Sequence, residues 1–205
     1  MIVHTLLALI ISVIIHEVAH GYVAFRLGDP TAKSLGRLSL NPIPHIDMLG
    51  SIILPLICLL TGGGFFLAWA KPVPVQPRYF KSPVQGMMLV AIAGPLSNII
   101  LAYCAGVMLH LGVELGFPDV LMTFLFFFVY INIVLALFNM LPVPPLDGSR
   151  VLAWLVPSQV RQLIYKLEPY GIALVFALVY FGVVSTYLNM FFPPLLRFFV
   201  PGELL

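Results

Sequence analysis

Long apolar runs constrain this chain more than any other feature of its sequence. Four of them cover residues 2–26, 87–111, 120–141 and 170–192, and charged residues make up only 9% of the chain, against ~25% in soluble domains. A helix of about 20 apolar residues spans the hydrocarbon core of a bilayer. The sequence therefore predicts an all-α polytopic membrane protein with about four transmembrane helices.

The first run contains two histidines and a carboxylate, because residues 16–20 read His-Glu-Val-Ala-His. Residues four apart share one helix face, so His16 and His20 can bind one metal ion, with Glu17 near enough to reach a water beside it. Metalloproteases use this spacing for zinc, with the glutamate as general base. An ionisable side chain costs roughly 2.5–3.5 kcal/mol at mid-bilayer. We therefore expect these residues to be functional.

A fifth apolar segment, residues 48–70, is interrupted by Pro55 and by the Thr-Gly-Gly-Gly of residues 61–64. Basic loops precede and follow it, and loops rich in Lys and Arg face the cytoplasm. A re-entrant hairpin leaves both loops on that side, so we favour a hairpin over a span, which is the alternative. The connection 112–119 contains two acids and no Lys or Arg, and it is expected to be external.

The end of the last run is marked by two prolines. Pro193 and Pro194 lack the amide donors that a helix needs, so we expect the helix to stop before them. Residues 195–200 are short and amphiphilic, and they are predicted to lie at the membrane interface.

A third zinc ligand is expected, and Asp147 is the best candidate. It follows the Pro-Val-Pro-Pro of residues 142–145, which cannot continue a helix and is predicted to be extended. Non-helical backbone at membrane depth is tolerated where it lines a wet cavity, and a zinc site provides one. Alternatively, Asp147 and Gly148 form an ordinary turn at the membrane edge, and Asp147 caps the next helix.

Two asparagines in the apolar runs are candidates for substrate binding or for stabilising an oxyanion. Asn98 ends the Ala-Gly-Pro-Leu-Ser-Asn of residues 93–98, and Asn139 comes just before the prolines. A side-chain amide there can donate to a substrate carbonyl or to a developing oxyanion. The alternative for each is a structural hydrogen bond between helices.

Three motifs, in order along the chain, resemble those of the site-2 protease family of intramembrane zinc metalloproteases, peptidase family M50. They are the His-Glu-Val-Ala-His of residues 16–20, the motif of residues 93–98 and the Asn-Met-Leu-Pro-Val-Pro-Pro-Leu-Asp-Gly of residues 139–148. The resemblance implies that His16, His20 and Asp147 bind one zinc ion and that Glu17 is the general base. It also associates Asn98 and Asn139 with the substrate-binding region.

The function expected from these motifs is hydrolysis of peptide bonds within or near the transmembrane segments of membrane proteins. We expect residues 1–205 to form a single membrane-embedded domain without a PDZ or CBS domain. It would lie in a bacterial inner membrane, with the active site toward the cytoplasm. The partners are then a transmembrane protein substrate and the lipid bilayer. No basic run indicates nucleic acid, and the sequence gives no oligomeric state.

The substrate must be locally unwound, because a helix hides the carbonyl that is to be attacked. The glycine-broken and proline-rich segments around residues 61–81 and 142–145 are predicted to offer backbone edges that pair with such a strand.

A divalent-metal transporter is the alternative function, because transporters also place His, Glu and Asp in their spans. A transporter needs polar residues on both sides of the site, and the external half of these runs has few besides Asn132 and His110. A catalytically silent scaffold would have lost Glu17 or a ligand. His45 is interpreted as a loop residue rather than a ligand.

Overall fold

The computed structural model describes residues 2–48, 50 and 70–205. Within these residues the regular structure is entirely helical, which confirms the all-α prediction. The α-helices are α1 (Ile2–Arg26), α2 (Thr31–Ser34), α3 (Pro83–Leu115), α4 (Asp119–Asn139), α5 (Asp147–Leu155), α6 (Ser158–Leu167), α7 (Gly171–Tyr180) and α8 (Val183–Phe199). Short 3₁₀ turns cover Ile43–His45, Pro77–Tyr79, Glu168–Tyr170 and Gly202–Leu204.

Four helical segments are long and apolar enough to cross a bilayer. They are α1, α3, α4 and the continuous segment Ser158–Tyr180, which joins α6 to α7. The chain is therefore an integral membrane protein, as predicted. The observed α1 has the predicted bounds, and α3 is longer at both ends than the predicted 87–111. A hairpin was predicted over residues 48–70, and all of these except 48, 50 and 70 lie outside the described residues.

The core is a bundle of α1, α3 and α4, each of which packs against the other two. Small residues such as Ala8, Ala102 and Ala105 lie fully or almost fully buried between them, since close helix approach in lipid depends on small side chains. Short α5 packs against α3, and α8 packs against α4. The metal-binding motif on α1 therefore faces the centre of the bundle.

The C-terminal part of the chain differs from the prediction. The last helical region is broken at Gly182, which has a φ of 74°, and α8 continues through Pro193 and Pro194. Each proline removes only its own amide bond, and packing compensates: the Phe192 ring lies 4.7 Å from that of Tyr130. The predicted span 170–192, with a stop at the prolines, is thus wrong. The candidate span is Ser158–Tyr180.

Residues 195–200 do not form a separate tail after the last helix, because residues 195–199 are the last turns of α8. Phe199 and Val200 are buried in the same core cluster as Ala102 and Ala105. A Cβ on Gly106 would lie 2.5 Å from the carbonyl oxygen of Phe199, so the glycine permits this close approach. Apolar side chains at the end of α8 therefore extend the core between α3 and α4.

Candidate metal centre

The two histidines of α1 and the first residue of α5 meet at one point. His16 Nε2 lies 2.9 Å from His20 Nε2, and Asp147 Oδ2 lies 3.2 Å from the first nitrogen and 3.3 Å from the second. Among the described residues, this is the one group of three or more His, Cys, Asp or Glu side chains close enough to share a metal ion. The structure thus brings together the three residues predicted as ligands.

Hydrogen bonds at the other ring nitrogens define the tautomer of both imidazoles. The Nδ1–H of His20 donates to the carbonyl oxygen of Val90 at 2.7 Å, and the Nδ1–H of His16 donates to Oδ1 of Asn98, also at 2.7 Å. These oxygens only accept, so each neutral ring carries its proton on Nδ1. The lone pair of each ring is then on Nε2, on the side facing Asp147.

This arrangement fits a zinc ion. Two imidazole lone pairs and a carboxylate oxygen face one another, and Asp147 Oδ2 is buried without a hydrogen-bond partner in the part of the chain that the structure describes. Such acceptors repel one another unless a cation lies between them. Ligand atoms of tetrahedral zinc lie roughly 3.3 Å apart for bonds of about 2.0–2.1 Å. Both distances to Asp147 match that value, and the distance between the histidines is somewhat shorter.

A glycine on α3 allows this helix to approach the two imidazoles. A Cβ on Gly94 would lie 2.4 Å from Nε2 of His20 and 2.6 Å from Cε1 of His16, closer than a methyl group can be. The glycine of the motif at residues 93–98 is therefore explained by close packing against the histidines. The absence of a side chain at Gly94 leaves room for both rings.

The proline-rich segment between α4 and α5 places Asp147 at the start of a helix. Residues 141–146 fold through turns, with Val143 N bonded to Leu141 O at 2.8 Å and Leu146 N to Val143 O at 2.9 Å. The segment is therefore compact rather than extended. A Cβ on Gly148 would lie 2.2 Å from the Met140 carbonyl oxygen, so only glycine lets α5 begin this close to the end of α4.

Glu17 lies beside the three predicted ligands, at a cavity of about 300 Å³. The backbone amide of Val73 donates to Glu17 Oε2 at 2.8 Å. Among the described residues, Oε1 accepts no hydrogen bond, so it is the oxygen available to a water. The polar residues that line the cavity are His16, Glu17, His20, Asn139, Asp147 and Arg150.

Residues 70–76, which run past the cavity without helix, are held in place at both ends. Near the start, the Lys71 amide donates to the carbonyl oxygen of His45 at 2.9 Å, and the buried guanidinium of Arg37 donates to the Lys71 carbonyl oxygen at 2.6 Å. At the other end, the Gln76 amide donates to the carboxylate of Asp29 at 2.6 Å. These bonds hold Val73 against Glu17.

Asp29 is fully buried, and its charge is stabilised by its neighbours. Burial acts to raise the pKa of Asp29. The Thr31 hydroxyl, the amides of Gln76 and Thr31 and the positive charge of Arg78 outweigh burial, however, and hold the pKa below its usual range. The carboxylate therefore accepts these bonds in its ionised form at neutral pH.

The remaining predicted residues lie in different environments. Asn139 lines the cavity, and its Nδ2 donates to the carbonyl oxygen of Leu135 on its own helix. Asn98 is fully buried and does not line the cavity; its side chain contacts His16 and two other polar residues instead. His45 is a buried loop residue, as interpreted from the sequence, and its Nε2 bonds to the carbonyl oxygen of Ser39.

Several contacts of this region were not predicted from the sequence. Val73 lies in the segment 61–81 that was predicted to pair with a substrate strand, but its backbone amide carries no side-chain signal that would indicate the bond to Glu17. Arg150 is at the cavity and pairs with Glu168, and its position three residues after Asp147 was a usable signal. Ser12 lies one helical turn before His16, on the same face of α1.

Comparisons with known proteins support a metal-dependent hydrolase. The family model described as Peptidase family M50 matches residues 114–183. Three relatives have names beginning "Putative zinc metalloprotease". YwhC of Bacillus subtilis is 43% identical over 190 residues, covering 90% of this chain and 83% of the relative. Rip2 of Mycolicibacterium smegmatis is 27% identical over 194 residues, covering 93% and 70%. MJ0611 of Methanocaldococcus jannaschii is 36% identical over 104 residues, covering 50% and 51%.

The search of the solved structures found no match. The similarity to YwhC nevertheless extends over most of both sequences. This agreement confirms the resemblance that the three motifs indicated, and it supports zinc as the metal for the His, His and Asp group. The chain belongs to peptidase family M50, the site-2 protease family, and is a zinc-dependent metalloprotease.

Proposed function

We propose that this protein is an intramembrane endopeptidase that hydrolyses peptide bonds within or near the transmembrane segments of other membrane proteins. In this proposal residues 1–205 act as a single metalloprotease domain. The observation that carries the proposal is the convergence of His16, His20 and Asp147, with two of the three on a candidate span. A substrate helix would reach these residues from the lipid.

The proposed roles follow from the hydrogen bonds. His16 and His20 would hold one zinc ion through Nε2, and Asp147 would hold it through Oδ2. When bound, zinc supplies a Lewis acid for a peptide carbonyl and lowers the pKa of water toward about 7. Glu17 Oε1 takes one proton from the attacking water and delivers it to the leaving nitrogen as the C–N bond breaks. The second proton of the water passes from the new carboxyl group to the new amine, so the products are a carboxylate and an ammonium group.

Residues 72–76 are proposed to pair with the unwound substrate. Pro72 and Pro74 have no amide hydrogen, and the Val73 and Gln76 amides are already bonded to Glu17 and Asp29. The backbone amide of Val75 has no hydrogen-bond partner among the described residues, and Val75 lines the cavity. It is therefore the donor available to a substrate strand. Asn139, also at the cavity, is proposed to contact the same substrate.

We propose a bacterial inner membrane, with the active site toward the cytoplasmic side. Basic residues support this orientation: Arg26 ends α1, Lys81 precedes α3, and Lys71 lies between them in the chain. Where α3 ends and α4 begins, residues 112–119 contain Glu114 and Asp119 and no Lys or Arg. An excess of Lys and Arg marks cytoplasmic loops.

A cleavage assay in liposomes tests the proposal. Wild type and Glu17→Gln are each incubated with a panel of single-span membrane proteins, and the zinc content of both is measured. We expect wild type to cut at least one substrate, Glu17→Gln to cut none, and both to hold about one zinc ion. If both hold zinc, neither cuts, and the liposomes show zinc flux, the protein acts as a transporter and the proposal fails.

A further inference from the structure

A buried polar cluster on the Nδ1 side of His16, opposite the nitrogen that faces Asp147, joins the three helices of the bundle. It consists of Ser12 on α1, Asn98 on α3 and Asn132 on α4, and all three residues are fully buried. Asn98 Nδ2 donates to Asn132 Oδ1 at 2.8 Å, and Asn132 Nδ2 donates to Ser12 Oγ at 2.8 Å. The first member of this chain of bonds, Asn98 Oδ1, accepts from the Nδ1–H of His16.

Each bond in this cluster determines the orientation of the next group. Asn132 Nδ2 also donates to the carbonyl oxygen of Phe128, one turn earlier on its own helix, at 2.8 Å. With both donors of this amide engaged, Asn132 Oδ1 must face Asn98. Asn98 then presents Nδ2 to Asn132 and Oδ1 to His16. The imidazole consequently keeps its proton on Nδ1 and its lone pair on Nε2.

We propose that Ser12 and Asn132 are positioning residues for zinc, which act on His16 through the orientation of the Asn98 amide. This inference rests on the proposed ligand set, in which His16 Nε2 binds the metal. Without Asn132, Asn98 Nδ2 keeps only a long hydrogen bond of 3.4 Å to the backbone carbonyl oxygen of Ser12, so the amide can turn over and present Nδ2 to the ring. The proton of His16 then moves to Nε2, where it blocks metal binding.

A purely structural role predicts a different pattern of effects. Hydrogen bonds between membrane helices contribute on average about 0.6 kcal/mol to stability, and loss of one lowers stability whether or not zinc is present. A positioning role instead lowers zinc affinity, since the correct tautomer of His16 becomes a minor population. Zinc affinity and the stability of the metal-free protein therefore separate the two roles.

The test measures zinc affinity of the full chain in detergent micelles by competition with a chelator of known affinity. The melting temperature of the metal-free protein is measured in parallel. For Asn132→Leu we expect the zinc Kd to rise about 10- to 100-fold, and for Ser12→Ala a smaller rise of at least threefold. Ser97→Ala is the matched control, because Ser97 Oγ has one hydrogen-bond partner among the described residues, the Gly94 carbonyl oxygen of its own helix. Its Kd should stay within twofold.

A rescue variant gives the sharpest outcome. The carboxylate introduced by Asn98→Asp has two acceptor oxygens, so it accepts from the Nδ1–H of His16 in either orientation. We therefore expect the double variant Asn98→Asp, Asn132→Leu to bind zinc within about threefold of Asn98→Asp alone. Co²⁺ substitution should give the same absorption spectrum in both, because the ligands are unchanged.

Results in the opposite direction overturn the inference. If Asn132→Leu and Ser12→Ala lower the melting temperature but leave the zinc Kd within twofold, the cluster is only structural. If Asn132→Leu does not fold, the zinc Kd of Ser12→Ala is compared with that of the control Ser97→Ala. A difference within twofold again means that the cluster is only structural. His16→Ala tests the ligand set separately: an unchanged Kd in this variant rejects His16 as a ligand rather than the role of the cluster.

Discussion

The backbone amide of Val73 donates a hydrogen bond of 2.8 Å to Oε2 of Glu17. This bond occupies one carboxylate oxygen, and Oε1 accepts no hydrogen bond from the described residues. A general base acts only within hydrogen-bond reach of the proton that it takes, so a fixed carboxylate orientation is useful. The segment that carries Val73 is itself held by Arg37 and Asp29. A surface loop is thereby coupled to the proposed catalytic residue.

Substitution Val73→Pro removes this amide hydrogen and should slow hydrolysis. Both chain neighbours of Val73 are already prolines, so the backbone is suited to a further one. We expect kcat on a single-span substrate in liposomes to fall about 10- to 100-fold, with one zinc ion still bound. Val73→Ala keeps the amide and is the control. Equal losses in both variants would mean that the side chain, not the amide, matters.

Substitution Gly94→Ala should weaken zinc binding, because its methyl group would lie 2.4 Å from Nε2 of His20. The rings of His16 and His20 are held at Nδ1 and cannot turn away without losing those bonds. We expect a rise in the zinc Kd of at least tenfold, measured by chelator competition. Gly202→Ala is the matched control, because a Cβ there meets no atom within 4 Å. An unchanged Kd for Gly94→Ala would contradict the packing argument.

Much of this architecture follows from local patterns in the sequence. The bounds of α1 were predicted because one apolar run ends at Arg26, and the convergence of His16 with His20 follows from helical geometry. Asp147 was predicted as the third zinc ligand because the prolines before it exclude a continuing helix. In each case a few neighbouring residues contain the whole signal.

Long-range packing decided what the sequence left open. The break at Gly182 rather than at Pro193 depends on contacts of α8 with α4. Asn132 was noted only as an isolated polar residue in an apolar run, because its partners lie 34 and 120 positions away in the chain. The approach of Val73 to Glu17 joins segments 56 positions apart. The hydrophobic periodicity of a sequence does not indicate contacts between residues so far apart in the chain.

Removal of zinc should destabilise the protein, since a ligand that binds only the folded state adds RT ln(1 + [L]/Kd) to its stability. Free zinc at about 100 times Kd contributes about 2.7 kcal/mol. We expect a chelator to lower the melting temperature of wild type in detergent by several degrees. In Asp147→Asn this difference should shrink, because a neutral amide oxygen replaces the carboxylate at a partly buried position. A full chelator effect in that variant would exclude Asp147 as a ligand.

The buried carboxylate of Asp29 should make stability depend on acidic pH. Its pKa is held below the usual range in the folded state, whereas the unfolded chain has a pKa of about 3.9. Its contribution is therefore complete above about pH 3.9 and is lost as pH falls through the lower, folded pKa. The side chain introduced by Asp29→Asn does not titrate. Its NH₂ group replaces one of the two oxygens, so a donor then faces the backbone amide of either Thr31 or Gln76.

We therefore compare the melting temperatures of wild type and Asp29→Asn between pH 3 and 7, because other carboxylates titrate alike in both. Wild type should be more stable at pH 7, by about 1–3 kcal/mol for a buried donor left unpaired. The difference should be constant down to about pH 4 and then decrease as Asp29 becomes protonated. A difference that stays constant to pH 3, or that grows as pH falls, would show that the Asp29 carboxylate is not stabilised in its ionised form.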